Sequence, residues 1–417
     1  MVEKIVHDGD LFNSADLDGF LIDKNDDVSK IKKTTQVSGE YIETFDYRIS
    51  FVGFILKQNG DLLVSLPKHY CFNSHSSVEE DCQLIFKVIT SFIQKHETKY
   101  IGPTNGSEWK SNYPFASFFG VYEYYLRHGL YFETANSLSE KQNGKMDWKN
   151  TIRLSNKYLV NGKFVFFPFY RQKPIQVESF VTMCMAYVIN YTASKFNFII
   201  NVKPVGNAYL PRDFGNNTSA IVDELIKIKS RVFDDEKSLL IHNLINYFSN
   251  IHEGGCFYLK HYNFASIWEE VIRIYISNHF QGAKNGRILF SKSATGPVKF
   301  CKPSFKPNLA KPDEYFVPDC YYCNGSSQFI LDAKYYEDVD GLMYKELCYL
   351  FFLTDFVDSI RHKALKFKKT FCALLLPSEN RRTEANFKMN PLFSRHFKDL
   401  TIYEEYFDIK EVLSFYS

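Results

Sequence analysis

Hydrophobic positions follow two different periods in the first half of the chain. In residues 47–70 they form two β-rich runs, and Asn59-Gly60 between the two runs is typical of a tight hairpin turn. Helical spacing starts at Ser77, which is placed to form a capping box with Glu80. These periods predict a β-rich N-terminal region with hairpins over residues 47–70 and 157–170 and helices over residues 77–96 and 114–132.

The pattern changes near residue 176, where apolar residues take helical spacing in three successive segments. We therefore divide the chain into an N-terminal domain, residues 1–175, and a second domain, residues 176–417. Further along, the pattern predicts helices over residues 264–280 and 341–356 and strands over residues 287–291, 370–378 and 400–409. This order is typical of an α/β (α+β) core with a mixed central sheet flanked by helices.

The composition narrows the class of protein without deciding its function. The chain has 417 residues, of which 45% are hydrophobic, so it is long enough and apolar enough for two folded domains. A net charge of +2 gives no overall attraction to nucleic acid, and DNA binding would depend on local basic patches. No apolar run reaches the length of a membrane span, the N-terminus lacks the apolar core of a signal peptide, and nine scattered cysteines fit a reducing compartment. We expect a cytoplasmic protein that does not enter a membrane.

The stretch VPDCYYCNGSSQFILDAKYY, residues 317–336, places charges where the core of a strand is expected. Asp319 directly follows a proline, and Asp332 and Lys334 interrupt an apolar run. Burying acids and lysines is costly unless they are paired with each other or bound to a metal. The stretch therefore forms a structural ion pair or a catalytic site, unless it is an exposed hairpin with incidental charges.

The spacing of these charges fits a hairpin that turns at Asn324-Gly325. A four-residue loop puts Asp319 directly opposite Asp332, and a two-residue loop makes the two acids diagonal neighbours on one face. A three-residue loop would separate them. Because side chains alternate along a strand, Lys334 lies on the same face as Asp332. Two acids and a lysine are therefore expected to converge at one point of a buried sheet.

This set of side chains points to metal-assisted chemistry. Two converging carboxylates are hard to keep ionised unless a cation lies between them. Oxygen ligands select hard cations, chiefly Mg²⁺, for which Mn²⁺ can substitute. A nearby lysine can orient or deprotonate water, or offset charge that builds up on a phosphate. The combination fits metal-assisted hydrolysis of a phosphodiester.

The order Pro-Asp, spacer, Asp-x-Lys resembles the motif of the PD-(D/E)xK nuclease superfamily. The resemblance implies a nuclease core in which Asp319 and Asp332 hold the metal, with the carbonyl of Ala333 as a further ligand and Lys334 in catalysis. Members of the superfamily usually carry a glutamate on the helix before the sheet. We assign this position to Glu269, which follows a tryptophan as in related motifs, rather than to the adjacent Glu270. The resemblance implies that Glu269 completes or supports the metal shell.

The helix after the sheet departs from the superfamily pattern. Some members carry Gln-x-x-x-Tyr there, whereas this chain has Lys345 in place of the glutamine and keeps Tyr349. The role of Lys345 is left open between contact with a phosphate and simple solvation.

A closer resemblance is to the LlaJI-type restriction subunits, which are in turn similar to McrC. It is carried by FVGFILKQNGDLLVSLPK, GKMDWKNTI and IWEEV together with the PD and LDAKYY motifs. The resemblance implies a nuclease subunit that cuts double-stranded DNA with a separate McrB-like AAA+ GTPase, and it leaves open a homodimer for double-strand cleavage. The chain has no G-x-x-x-x-G-K-[ST] motif of its own, which agrees with a motor supplied by a partner. The N-terminal domain would dock the motor, the DNA, or both.

Two alternatives remain for the function. The chain could be a standalone type II restriction endonuclease, or a DNA-binding or scaffold subunit whose site is decayed or coincidental. Cys320 and Cys323 form a Cys-x-x-Cys pair, but a structural zinc site needs four ligands and no second pair has suitable spacing. Basic residues near the motif either contact DNA phosphates or form a solvated face: residues 361–370, Arg381, Arg382 and the looser set Lys284, Arg287, Lys292, Lys299, Lys302, Lys306 and Lys311.

Overall fold

The structure is a computed structural model of the chain. It describes residues 2–13, 20–37, 40–72, 77–96, 108–140, 144–206, 211, 213–251, 256–296, 298–311, 313–324, 327–336, 344–353, 357–358, 363–364, 369–390, 392 and 400–417. The tip of the hairpin at residues 325–326 and most of the basic run over residues 361–370 lie outside the described residues.

The chain forms two compact units. The first unit contains residues 1–99, 103–112 and 252–417, and the second contains residues 100–102 and 113–251. The expected boundary after residue 175 lies inside the second unit, because the helices that follow it cluster with residues 113–178. The N-terminal residues belong instead with the C-terminal part of the chain.

The N-terminal part of the first unit is rich in β-structure, as expected. Its elements are β1 (Val2–His7), β2 (Val28–Val37), β3 (Glu40–Ile49), β4 (Val52–Leu56), β5 (Leu62–Leu66), α1 (Val78–His96) and β6 (Trp109–Ser111). β4 and β5 pair antiparallel around Asn59-Gly60, so the expected hairpin and the following helix are both confirmed.

The second unit combines helices with two small sheets. Its elements are α2 (Phe115–His128), β7 (Phe132–Ser139), β8 (Lys145–Met146), α3 (Trp148–Leu154), β9 (Asn156–Val160), β10 (Lys163–Phe167), β11 (Arg171–Glu178), α4 (Phe180–Phe196), a 3₁₀ turn (Phe214–Asn216), α5 (Thr218–Lys229) and α6 (Asp235–Asn250). The Tyr113 hydroxyl lies 2.6 Å from the Thr192 hydroxyl on α4 and 2.7 Å from the Tyr247 hydroxyl on α6. This buried polar contact joins the helices of the unit.

The chain then returns to the first unit. Its remaining elements are β12 (Phe257–His261), α7 (Phe264–His279), β13 (Phe280–Lys284), β14 (Arg287–Phe290), β15 (Cys320–Cys323), β16 (Ser327–Ala333), α8 (Tyr344–Leu353), β17 (Val357–Asp358), β18 (Lys363–Ala364), β19 (Lys369–Ser378), β20 (Arg382–Lys388), β21 (Thr401–Asp408) and α9 (Ile409–Tyr416).

Strand β12 explains why the two ends of the chain form one unit. The first five-stranded sheet has the order β1-β5-β4-β12-β6, so β12 pairs antiparallel with β4. Gly53 permits this pairing, because a Cβ atom there would lie 2.0 Å from the carbonyl oxygen of Leu259. Its φ of 150° is also a conformation that other residues rarely adopt.

The second five-stranded sheet carries the acidic motif. Its order is β15-β16-β19-β21-β20, with β16, β19 and β21 parallel and the two outer strands antiparallel. Ile330 and Ile402 pack on one face against Tyr349 and Leu350 of α8. The Trp268 indole of α7 is buried and donates to the Leu375 carbonyl. The expected α+β class with a mixed sheet is confirmed.

Across the described parts of the chain, no helix combines the length and apolar character that crossing a membrane requires.

Candidate active site

The hairpin of β15 and β16 has the register in which the two acids face each other. Cys320 pairs with Leu331 and Cys323 with Gln328, so residues 324–327 form a four-residue loop. The same register continued by one residue puts Asp319 opposite Asp332. Of the two registers that keep the acids on one face, the structure therefore has the four-residue loop, in which Asp319 and Asp332 lie directly opposite each other.

Hydrogen bonds and ion pairs orient both carboxylates. Asp319 is 7% exposed, and its Oδ2 accepts a 3.0 Å hydrogen bond from the backbone N–H of Ala333. Asp332 is 1% exposed; its Oδ2 is paired with the Lys334 ammonium, and its Oδ1 lies 3.4 Å from Nζ of Lys345. Asp332 and Lys334 thus lie together on one face, as the alternation of side chains predicts.

The two acids differ in how readily they take up a proton. Burial and, next, the neighbouring charge of Asp332 raise the pKa of Asp319 to about 6. Burial also acts to raise the pKa of Asp332, but the ammonium groups of Lys334 and Lys345 outweigh it and lower that pKa below the usual value. The pair therefore holds one firmly ionised carboxylate and one that becomes protonated under mildly acidic conditions.

Glu269 and Glu270 point to different places, although they are adjacent on α7. Glu269 pairs with the Lys302 ammonium, whose Nζ also lies 3.0 Å from Oδ1 of Asp319. Glu270 is buried and pairs with Lys95 and His96 of α1. Of the two glutamates, Glu269 is the one that the structure brings next to the aspartates.

A comparison with protein families gives the identity of the chain. Residues 51–348 match the family model described as LlaJI restriction endonuclease. The chain belongs to the LlaJI restriction endonuclease family. As a member of this family it is a nuclease of a restriction system, and the match includes Glu269, Asp319, Asp332 and the lysines that pair with them.

Comparisons with individual proteins add less than the LlaJI match. No curated protein matches the sequence. Among solved structures, the chain is similar to a chain of the refined half-complex from the tetradecameric assembly of Thermococcus gammatolerans McrB AAA+ hexamers with bound McrC. The two chains share 11% sequence identity with a TM-score of 0.39, over 98% of this chain and 95% of that chain. A TM-score this low is insufficient to establish a shared fold.

Two further lysines of this LlaJI-family protein, Lys302 and Lys345, lie at the site, although no sequence motif assigns either of them to it. Lys302 stands in the sequence as one member of a loose basic set, with no local motif to single it out. Lys345 occupies the position of the superfamily glutamine, and its Nζ lies over the Tyr349 ring, 5.2 Å from the centroid. The exchange of glutamine for lysine was the only signal for Lys345.

The donor set fits Mg²⁺ in its chemistry. Magnesium is usually held by one or two carboxylates, and water and substrate oxygens complete the shell. Asp319 and Asp332 supply two buried carboxylates, and the Ala333 backbone lies within hydrogen-bonding distance of the first. Within the described ranges, no group of three or more His, Cys, Asp or Glu side chains is arranged to hold a metal. Cys320 and Cys323 therefore do not belong to such a group. The site therefore suits a cation that shares its ligands with substrate and water.

Proposed function

We propose that this chain is the Mg²⁺-dependent DNA endonuclease subunit of a restriction system, with its catalytic site at Asp319, Asp332, Lys334 and Glu269. The observation that carries the proposal is the facing pair of Asp319 and Asp332, both almost fully buried at the end of a hairpin. Buried acids that face each other are costly unless cations lie beside them. Membership in a restriction endonuclease family supports phosphodiester hydrolysis as the reaction.

The residues divide the work by their chemistry. Asp319 and Asp332 would hold Mg²⁺, with the Ala333 carbonyl as a further ligand and Glu269 at the margin of the site. Bound Mg²⁺ supplies a Lewis acid and lowers the pKa of a water molecule. Lys334 is only 13% exposed and lies against Asp332, so its ammonium is held in place. It orients the attacking water or offsets the charge that develops on the phosphate.

The proposed partner is an AAA+ GTPase of the kind present in the McrB hexamers with bound McrC. The support is that the sequence contains no G-x-x-x-x-G-K-[ST] motif, the phosphate-binding loop of many NTP-hydrolysing proteins, so that GTP hydrolysis is assigned to a partner. Its net charge of +2 also favours modest DNA affinity for the isolated chain. In this proposal the surface that docks the motor lies within residues 1–175, a range that is divided between the two units, and the motor brings the nuclease to DNA.

A plasmid cleavage assay tests the proposal and separates it from the standalone alternative. The purified full-length chain is incubated with plasmid DNA and Mg²⁺, with and without a candidate AAA+ GTPase subunit and with and without GTP. We expect site-specific cutting only when the chain, the GTPase, GTP and Mg²⁺ are all present. Specific cutting by the chain and Mg²⁺ alone would favour a standalone enzyme, and DNA binding without cutting under every condition would favour a scaffold subunit.

A further inference from the structure

Three lysines neutralise the three acids of the site, and they differ in how firmly they are held. The site contains Glu269, Asp319 and Asp332 with Lys302, Lys334 and Lys345. Lys334 is 13% exposed, whereas the side chains of Lys302 and Lys345 are 43% and 53% exposed. Of the two exposed lysines, Lys345 contacts Asp332, and Lys302 contacts Glu269 and Asp319.

Lys302 lies between Glu269 and Asp319. Its ammonium is hydrogen-bonded to Oε2 of Glu269 and lies 3.0 Å from Oδ1 of Asp319. These oxygens come from different elements, α7 and the residue before β15, and the Lys302 ammonium bridges them. The other oxygen of Asp319, Oδ2, is already engaged by the Ala333 N–H. The Lys302 ammonium therefore occupies the oxygen of Asp319 that is left for a metal.

The backbone next to Lys302 is fixed, so this contact does not depend on a loose surface segment. The N–H of Cys301 donates to the Tyr321 carbonyl at 3.0 Å, and the N–H of Tyr321 donates to the Cys301 carbonyl at 2.8 Å. Tyr321 is in β15, two residues after Asp319. This bridge keeps the start of the Lys302 side chain close to the aspartate, while the four-carbon stem leaves the ammonium free to swing into solvent.

We propose that Lys302 is an internal counter-ion that neutralises Asp319 and Glu269 in the metal-free protein and is displaced from them when Mg²⁺ binds. The proposal rests on the proposed function, since it requires a metal at these acids. A divalent cation that binds Oδ1 of Asp319 takes the position that the Lys302 ammonium holds, and the two positive charges repel at short distance. Lys302 therefore competes with the metal and lowers the affinity of the site for it. In the metal-free protein, the Lys302 ammonium reduces the repulsion between Asp319 and Glu269.

Metal binding to the full-length protein without DNA tests the proposal. The probe is Mn²⁺, followed by isothermal titration calorimetry at pH 7.5. Lys302→Gln should lower the Kd for Mn²⁺ by about twofold to fivefold, the range that a partly exposed ion pair supports. Lys302→Arg keeps the charge beside the carboxylates and should leave the Kd near the wild-type value. Lys302→Gln should also lower the melting temperature of the metal-free protein and increase its rise on addition of metal.

Lys306→Gln is the matched control, because it removes the same charge from the same segment. Lys306 is exposed, and its ammonium lies over the Tyr315 ring rather than at the acids. An equal change of Kd in Lys302→Gln and Lys306→Gln, or no change in either, would overturn the proposal. So would an unchanged Kd for Mn²⁺ combined with weaker DNA binding in Lys302→Gln, since Lys302 would then be a phosphate contact.

The failure of the proposed function has a different signature. If wild-type protein binds no Mn²⁺, or if Asp319→Asn binds it as tightly as wild type does, the acids are not a metal site. Both proposals then fail together. If Asp319→Asn weakens Mn²⁺ binding but Lys302→Gln has the same Kd as Lys306→Gln, the acids are a metal site. Only the proposal for Lys302 is then overturned.

Discussion

The backbone N–H of Ala333 donates a 3.0 Å hydrogen bond to Oδ2 of Asp319. Ala333 lies between Asp332 and Lys334, so this bond joins the Pro-Asp part of the motif to the Asp-x-Lys part across the hairpin. It holds Oδ2 of Asp319 against the backbone, while Oδ1 lies beside the Lys302 ammonium. The facing register of β15 and β16 makes the bond possible.

Asp319→Asn should stabilise the metal-free protein at neutral pH. Burial and the charge of Asp332 raise the pKa of Asp319 to about 6, so the folded state binds this proton more tightly than the unfolded chain does. Because the raised pKa belongs to the folded state, the free energy of unfolding falls as pH rises from about 4 to above 6. A carboxylate with a lowered pKa has the opposite pH dependence. The asparagine removes this loss while keeping an acceptor for the Ala333 N–H. We expect a gain of about 1–2 kcal/mol in the free energy of unfolding at pH 7.5.

Urea denaturation in EDTA at pH 7.5 and pH 4 checks this expectation. The advantage of Asp319→Asn should shrink toward zero at pH 4, where Asp319 of the wild type is protonated in the folded state. The exposed acid Glu314, which pairs only with Lys311 in the described contacts, provides the control variant Glu314→Gln. A variant that is less stable than wild type at pH 7.5 would show that the charge of Asp319 stabilises the fold.

Glu270→Gln should lower stability, whereas Glu269→Gln should lower cleavage. Glu270 is buried against Lys95, His96 and the hydroxyl of Tyr416, which donates to it at 3.1 Å. Burial acts to raise its pKa, but the bonds from Lys95 and His96 outweigh it and lower the pKa. An acid with a lowered pKa contributes stability above its unfolded value, and that contribution is lost as pH falls through the folded pKa. We expect a loss of about 1–3 kcal/mol at pH 7.5 for Glu270→Gln that shrinks below pH 4.

The two glutamine variants serve as controls for each other. Thermal denaturation measures the loss of stability in Glu270→Gln. The loss of cleavage in Glu269→Gln is measured with plasmid DNA, the motor, GTP and Mg²⁺, at a temperature well below the melting temperatures of both variants. Equal loss of cleavage in both variants, with no difference in stability, would contradict the division of roles on α7.

Asp27→Asn should destabilise the first unit strongly. Asp27 and Lys260 form an ion pair of 2.6 Å in which both side chains are almost fully buried, and the Tyr262 hydroxyl donates to Asp27 at 2.9 Å. Removing one partner of a buried pair leaves a charge without compensation, which costs about 3–5 kcal/mol. Urea denaturation at pH 7.5 measures the loss. The exposed pair of Lys32 and Glu43 is the comparison, and Lys32→Gln should change stability little. Similar effects of the two substitutions would mean that burial does not set the strength of the Asp27 pair.

Cleavage should follow the metal preferences of oxygen ligands. We expect cutting with Mg²⁺ or Mn²⁺ and poor cutting with Ca²⁺, because Ca²⁺ is larger and accepts looser geometry. EDTA should stop the reaction, and excess Mg²⁺ should restore it. The assay is cleavage of plasmid DNA by the nuclease with its motor and GTP, and GTP hydrolysis measured in parallel separates loss of nuclease chemistry from loss of the motor. Cutting that persists in EDTA while the motor is inactive would exclude a metal mechanism.

Local patterns predicted the elements and the facing acids because they depend on neighbours in sequence. The turn at Asn324-Gly325 and the alternation of side chains limited the hairpin to two registers, and contacts across the sheet selected the four-residue loop. The choice of Glu269 over Glu270 also followed from the motif. Which glutamate is buried could not be read from the sequence, since it depends on Lys95 and His96 of another helix.

Long-range pairing accounts for what the sequence did not predict. Strand β12 joins β4 after the whole second unit has intervened, so no local change of pattern marks the division of the chain. Lys302 reaches the site through the bridge between Cys301 and Tyr321, and an isolated bridge leaves no periodic signal. Side chains that act through such contacts are visible only in three dimensions.

The most direct test of the account is cleavage by Asp332→Asn, with Glu314→Gln as the control for an acid-to-amide change. Asp332 is the acid that contacts both Lys334 and Lys345, so it is the centre of the proposed site. With the motor, GTP and Mg²⁺ present, we predict that Asp332→Asn binds DNA and the motor as wild type does but cuts at least about 100-fold more slowly. Glu314→Gln should cut at the wild-type rate. Cutting by correctly folded Asp332→Asn at a rate close to wild type would contradict the assignment of the active site.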